Sequence, residues 1–226
     1  MLISPTRQFI FFHVPKTAGL SIRDVLQPYA EEPEKFKIRR PPRATNGQPN
    51  RMYEVWQTLL LHASARDAQK ELPPDLFARF FKFGFVRNPW DWQVSMYQFI
   101  LRDETNAKHD TVKRLGGFDE YLEWVVETPA PYPKGTPKQQ CEILVDSHHQ
   151  LLVDFVGHYE TLSQDFEYVR DRLKIEGSLP HLNATPHPDY RSYYNERTKR
   201  LVADNFPADV ELFGYHFDGC VRRGRP

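Results

Sequence analysis

Residues 8–26, QFIFFHVPKTAGLSIRDVL, decide the fold. Gln8 to Val14 is a nearly continuous apolar run, which predicts a strand buried on both faces. Pro15 to Gly19 break it, and from Leu20 the apolar residues fall at 20, 22, 25 and 26, so a helix is expected over Leu20 to Leu26. The amides that open a helix are unpaired and sit at the positive end of its dipole, so the loop between strand and helix favours an anion. Lys16 adds a point charge, Thr17 and Ser21 add hydroxyls, and Gly19 supplies backbone freedom. The lysine precedes the single glycine, so the order departs from the GxxxxGK[ST] phosphate loop. The competing reading is a tight turn with a solvated lysine. His13, at the strand end, reads as a structural hydrogen bonder.

A second strand is expected at Phe81 to Val86 (FKFGFV), ended by Arg87-Asn88-Pro89. Pro89 suits the first turn of a helix reaching about Arg102. Arg87 then stands at a strand's carboxyl end, where ligands of open α/β sheets collect, and Ser95 lies two helical turns further on. An arginine fork and a hydroxyl make a phosphate clamp; the alternative pairs Arg87 with a surface acid. Two clamps after two strands point to a ligand with two separated anionic groups.

Further out, MLISPTRQFIFFHV reads as one buried strand, 28–50 as a flap or acceptor loop, and Val55 to His62 as strand end or helix. A helix is expected to begin over Ser64 to Glu71, with Pro73-Pro74 restarting one through Phe80, and another is expected over Phe118 to Glu127. Residues 103–117 read as a polar connection and 129–139, with four prolines, as a loop. Gln150 to His158 is strand-like, and Leu162 to Ile175 and Asn195 to Asn205 are helical. Residues 177–226 read as a C-terminal closing segment of a single domain. The alternation predicts an α/β fold with a mostly parallel sheet.

The chain has 226 residues, 14% aromatic, with a mean hydropathy of −0.64 and equal numbers of basic and acidic residues. That excludes a disordered chain and a generally basic nucleic-acid binder. Charge is uneven, however: residues 1–50 hold eight basic against four acidic residues, which suits a focused anion site. Two cysteines, Cys141 and Cys220, exclude a disulfide scaffold. No apolar run approaches a membrane span, and the amino terminus lacks a leader pattern, so a cytoplasmic location is expected.

HVPKTAGLS at 13–21 resembles the 5′-phosphosulfate-binding loop of sulfotransferases, and VRNPWDWQVSMY at 86–97 resembles their 3′-phosphate-binding motif. DFVGHYETLSQDF at 154–166 and the stretch from Pro180 to Phe217 are similar to later blocks of the carbohydrate-type branch, sulfotransferase family 2. The resemblance implies a P-loop-like three-layer sandwich and the donor 3′-phosphoadenosine 5′-phosphosulfate (PAPS), with PAP as product and no metal. Lys16 would contact the phosphosulfate, with Thr17, Ala18, Gly19, Leu20 and Ser21 wrapping the 5′ side. Arg87 and Ser95 would hold the 3′-phosphate. Tyr193 and Tyr194, which sit in the C-terminal block with Arg191, are expected to close over the nucleotide. Trp92 and His158 stand at or near positions where the family often carries arginine. The family's Golgi members carry a membrane anchor, whereas this chain starts almost at the first motif and so resembles soluble bacterial members.

Sulfuryl transfer needs a base for the acceptor hydroxyl. His62, in LLLHASAR, is the first candidate, and Glu54 is its rival. His148, His149 and Cys141 lack the spacing of a zinc site. The basic patch Lys35, Lys37, Arg39, Arg40 and Arg43 is either an acceptor guide or a solvated flap. A saccharide hydroxyl is the expected acceptor. A nucleotide phosphotransferase and a non-catalytic nucleotide-binding interaction protein are the alternatives.

Overall fold

The structure, a computed structural model, describes residues 1–30, 62–180 and 188–220. Most of the expected flap, the basic patch within it and Glu54 lie outside the described residues.

Four strands form the main sheet in the order β1 (Leu2–Ser4), β2 (Phe9–Phe12), β3 (Phe81–Val86), β4 (Phe155–His158). β2, β3 and β4 run parallel, with Phe9 opposite Phe81 and Phe83 opposite Phe155. β1 is antiparallel to β2, pairing Leu2 with Phe11. The amino-terminal stretch is therefore two strands and not one. The chain turns between them at Pro5 to Gln8, where Gln8 is left-handed at φ 53°. β4 is also shorter than the run from Gln150 predicts: Leu151 instead makes an isolated antiparallel bridge to Val145.

Alternation along the strands splits the apolar run between two cores. Leu2, Phe9, Phe11, Phe83, Phe85 and Phe155 pack with Ile22 and Leu26 of α1 (Gly19–Leu26). Phe166, Val169 and Leu173 of the later helix Leu162–Leu173 complete that core. Ile3, Ile10, Phe12 and Val86 face the larger core. It is built by α2 (Ala65–Glu71), α3 (Pro74–Arg79), α4 (Pro89–Arg102), α5 (His109–Leu115) and α6 (Phe118–Glu127). After α7 (Leu162–Leu173), α8 (Glu196–Asn205) and α9 (Pro207–Phe213) join the same core. Helices thus cover both faces of the sheet, which is why its central strands are apolar throughout. Lys82 is the exception in β3; its buried ammonium lies 2.9 Å from Asp154 and donates to the Phe80 carbonyl.

α5 lies within the stretch expected as a plain connection, and α9 precedes the tail without having been foreseen. α5 buries only His109 and Val112, too few for a visible period, and no side chain caps its start. A small hairpin, β5 (Tyr215–His216) with β6 (Gly219–Cys220), ends the described chain.

Candidate active site

Because β2, β3 and β4 are parallel, their carboxyl ends meet at one end of the sheet. The loop leaving β2 carries two left-handed residues, Lys16 (φ 64°) and Ala18 (φ 60°). Each costs on the order of 1 kcal/mol for a residue with a Cβ. Alternating backbone hand of this kind turns successive amides toward a common concavity. Gly19 is not left-handed, so the expected reason for that glycine is corrected. A Cβ there would lie 1.9 Å from the His13 ring, so the glycine serves close approach instead.

Three successive carbonyls of the loop are tied down. Thr17 Oγ1 donates to Val14 at 2.8 Å, Trp92 Nε1 to Pro15 at 2.8 Å, and Arg87 to Lys16 at 3.3 Å. In a trans peptide the next N–H points the opposite way, so the amides of Lys16 and Thr17 turn away from these donors. Trp92, standing where an arginine was noted, thus anchors the loop through its indole N–H.

The Lys16 ammonium lies 4.5 Å from the centroid of the Phe99 ring. Burial, then the charges of Arg87 and Arg102, pull its pKa down to about 8. Phe99 and Arg102 sit one and two turns beyond Ser95 on α4, so the three share a helix face. Ser21 is buried in α1, whereas Leu20 is half exposed.

Arg87 is 6% exposed and held from every side. Its Nε donates to Asp91 Oδ2 at 2.7 Å, and its guanidinium stacks on Tyr159 at 4.2 Å. Its partner acid is therefore buried in the site, not on the surface. The backbone N–H of Arg87 donates to Gln140 Oε1 at 2.9 Å, and Gln140 Nε2 donates to the Arg87 carbonyl at 2.8 Å. The next amide, Asn88 N–H, donates to Glu160 Oε1 at 2.6 Å. Asn88 Oδ1 caps α4 by accepting from Trp90 and Asp91. Ser95 is buried, and its Oγ has no hydrogen-bond partner among the described residues.

His62 joins the site through His13, the residue that follows β2. Its Nδ1 lies 3.0 Å from the His13 carbonyl oxygen, and the two rings are 4.8 Å apart. A carbonyl only accepts, so Nδ1 carries the proton and Nε2 keeps the lone pair. Burial lowers the His62 pKa. The expected structural hydrogen bonding of His13 runs through its backbone carbonyl, while its buried ring Nδ1 has no partner among the described residues.

Arg191 and Tyr193 stand in the C-terminal block. Arg191 pairs with Asp189 and Asp218, while the Tyr193 hydroxyl accepts from Gln98 Nε2 at 3.1 Å. Their neighbour Tyr190 donates its hydroxyl to the Phe217 carbonyl, and burial raises its pKa to about 12 against the lowering effect of Arg191. The Tyr194 hydroxyl donates to the Trp90 carbonyl.

With this geometry in view, a sulfotransferase family model matches residues 1–216 of the chain. The chain belongs to sulfotransferase family 2. Membership assigns it to sulfuryl transfer in general terms. A protein of uncharacterised function from Archaeoglobus fulgidus is 26% identical over 119 residues, spanning 51% of this chain and 87% of that protein. No helix among the described residues of this sulfotransferase is long and apolar enough to cross a membrane. No group of three or more potential metal ligands occurs among them either.

The structure brings Lys16, Thr17, Arg87 and Trp92 of the sulfotransferase together, and joins His62 to the first loop through His13. Sequence reading did not single out Asp91, Arg102, Gln140, Tyr159 or Glu160. Asp91 had a local signal, since it follows Arg87 by one helical turn. Gln140 had none, being 53 residues from its partner.

Proposed function

We propose that this sulfotransferase moves the sulfuryl group of PAPS to an acceptor hydroxyl, with a saccharide as the acceptor class. The observation that carries the reading is the hydrogen bond from the Arg87 guanidinium to the Lys16 carbonyl. It joins the two anion-binding segments, as a donor with phosphate groups on both its 3′ and 5′ sides requires. The residues present fit such a donor: a helix start with left-handed loop residues, an ammonium beside it, and a buried serine hydroxyl aligned on α4.

In this reading Lys16 and the amides of residues 17–21 hold the 5′ phosphosulfate, and Arg87 and Ser95 hold the 3′-phosphate. Transfer breaks the bond between sulfur and the bridging phosphate oxygen and forms one between sulfur and the acceptor oxygen. Charge grows on the leaving oxygen, where Lys16 stabilises it. His62 Nε2 takes the acceptor's proton, because its lone pair is the one not committed to the His13 carbonyl. The products are PAP, the sulfated acceptor and the proton on His62. Arg191 and Tyr193 close the nucleotide end through the C-terminal block.

The test is calorimetric titration with PAP, with ATP and ADP as controls. Arg87→Ala strands the buried Asp91 charge, so it is paired with Arg87→Ala/Asp91→Ala, which removes both charges. Micromolar PAP binding that exceeds ATP binding and is lost in both variants supports the reading. Folded protein that ignores PAP, or prefers ATP, overturns it.

A further inference from the structure

At Arg87 the sheet runs out of neighbours. The pairing of β2 with β3 ends at Phe12 and Gly84, and that of β3 with β4 ends at Val86 and His158. One residue further on, the backbone of Arg87 has left the ladder while still buried. An unpaired amide and carbonyl there would be costly. The primary amide of Gln140 fills this place, accepting from Arg87 N–H at 2.9 Å and donating to Arg87 C=O at 2.8 Å. It does for one residue what a neighbouring strand would do. Gln140 has no exposed surface, so water does not compete for either bond.

Gln140 is itself held. Asp209 of α9 accepts from the backbone N–H of Gln140 at 2.8 Å and of Cys141 at 2.7 Å, one on each carboxylate oxygen. Asp209 is 1% exposed. A continuous buried chain therefore runs from the C-terminal helix α9, through the turn Gln140–Ile143, to the backbone of Arg87.

We infer that Gln140 and Asp209 are positioning residues that set where Arg87 presents its guanidinium to the donor's 3′-phosphate. The inference rests on the reading that Arg87 meets that phosphate. Asp91 and Tyr159 orient the guanidinium, but both act from Cα outward. Gln140 fixes the Cα itself. A forked contact to phosphate needs the donor atoms placed within a few tenths of an ångström. This gives the C-terminal block a part in donor binding that does not depend on touching the nucleotide.

The experiment compares PAP with adenosine 5′-monophosphate, which lacks the 3′-phosphate, by calorimetry on the full chain. The readout is the ratio of the two dissociation constants. In Gln140→Met, which keeps the side chain's length and loses both hydrogen bonds, PAP affinity falls about tenfold and 5′-monophosphate affinity stays put, so the ratio collapses. Gln140→Glu, which keeps the acceptor for Arg87 N–H, retains part of it. Asp209→Asn shifts the ratio in the same direction by less. Equal weakening of both ligands in a folded variant marks a merely structural role and overturns the inference, as does an unchanged ratio. If Gln140→Met does not fold, Gln140→Glu and Asp209→Asn decide by the same ratio. A wild-type protein that binds both nucleotides equally refutes the 3′-phosphate reading of Arg87 itself, which separates the two failures.

Discussion

Lys16 sits over an aromatic ring, and burial, then the charges of Arg87 and Arg102, bring its pKa down to about 8. Anion binding needs its protonated form, and a bound anion raises the pKa again. PAP affinity is therefore flat below about pH 8 and weakens above it, by up to tenfold per pH unit, until the higher pKa of the complex is passed. Calorimetry across that range checks this, and Lys16→Met flattens the profile. The same variant lowers turnover by about 10²–10³, the usual loss for one donor to a developing oxyanion. His62 behaves oppositely. Burial favours its neutral form, so the proposed base is ready at pH 7 and the acid limb of kcat/KM is expected below the ordinary histidine pKa of about 6.5. His62→Ala lowers turnover by about 10²–10⁴ while PAP affinity is unchanged. Normal turnover in that variant would remove His62 as the base and promote Glu54.

At the scale of elements, the loop from β2 to α1 is held by contacts distant in sequence. Gly19→Ala drives a methyl group into the His13 ring, which is itself packed against His62 and Phe11. Overpacking of this kind costs about 1–3 kcal/mol. His13→Ala removes the obstacle, so the double variant is more stable than the sum of the single losses predicts, and a thermal double-mutant cycle measures the coupling. Additive losses would show that the glycine serves something other than that approach. Trp92→Phe deletes the hydrogen bond to the Pro15 carbonyl and leaves a cavity where the fully buried indole packed against Tyr132, so it costs more than the roughly 1 kcal/mol of the bond alone, about 2–4 kcal/mol of stability. Much of this layer was legible beforehand. The strand FIFF, the helix after Gly19, and the β3–α4 unit were marked by unbroken apolar runs and by a proline at the first helical turn. α9 was not, because one of its two buried residues is the charged Asp209, which breaks the apolar pattern.

Over the whole molecule, Asp209 ties the C-terminal helix to the middle of the chain at a cost. Burial raises its pKa from 3.8 to about 6, despite the two backbone amides that favour the carboxylate. Between those values the folded protein binds more protons than the unfolded chain, so stability declines as pH rises from about 4 to about 6 and that contribution stays lost above it. Asp209→Asn removes this slope. Chemical denaturation of both proteins at pH 5 and pH 7.5 should show a larger gap between them at the lower value, where the wild type still holds part of the benefit. A gap equal at both pH values would show that Asp209 titrates normally.

Two things were determined by the sequence alone. The apolar runs required a sheet buried on both faces, and local motifs at Lys16 and Arg87 marked the two loops proposed to hold anions, because both depend on residues close together in the chain. Tertiary structure decided the rest. It placed the indole of Trp92 on Pro15, the guanidinium of Arg87 on Lys16, and the amide of Gln140 against the end of β3. These bonds join residues 53 to 77 apart in the chain. No periodicity or spacing encodes them, since each exists only because the parallel strands end at one edge and leave buried backbone groups that need a partner.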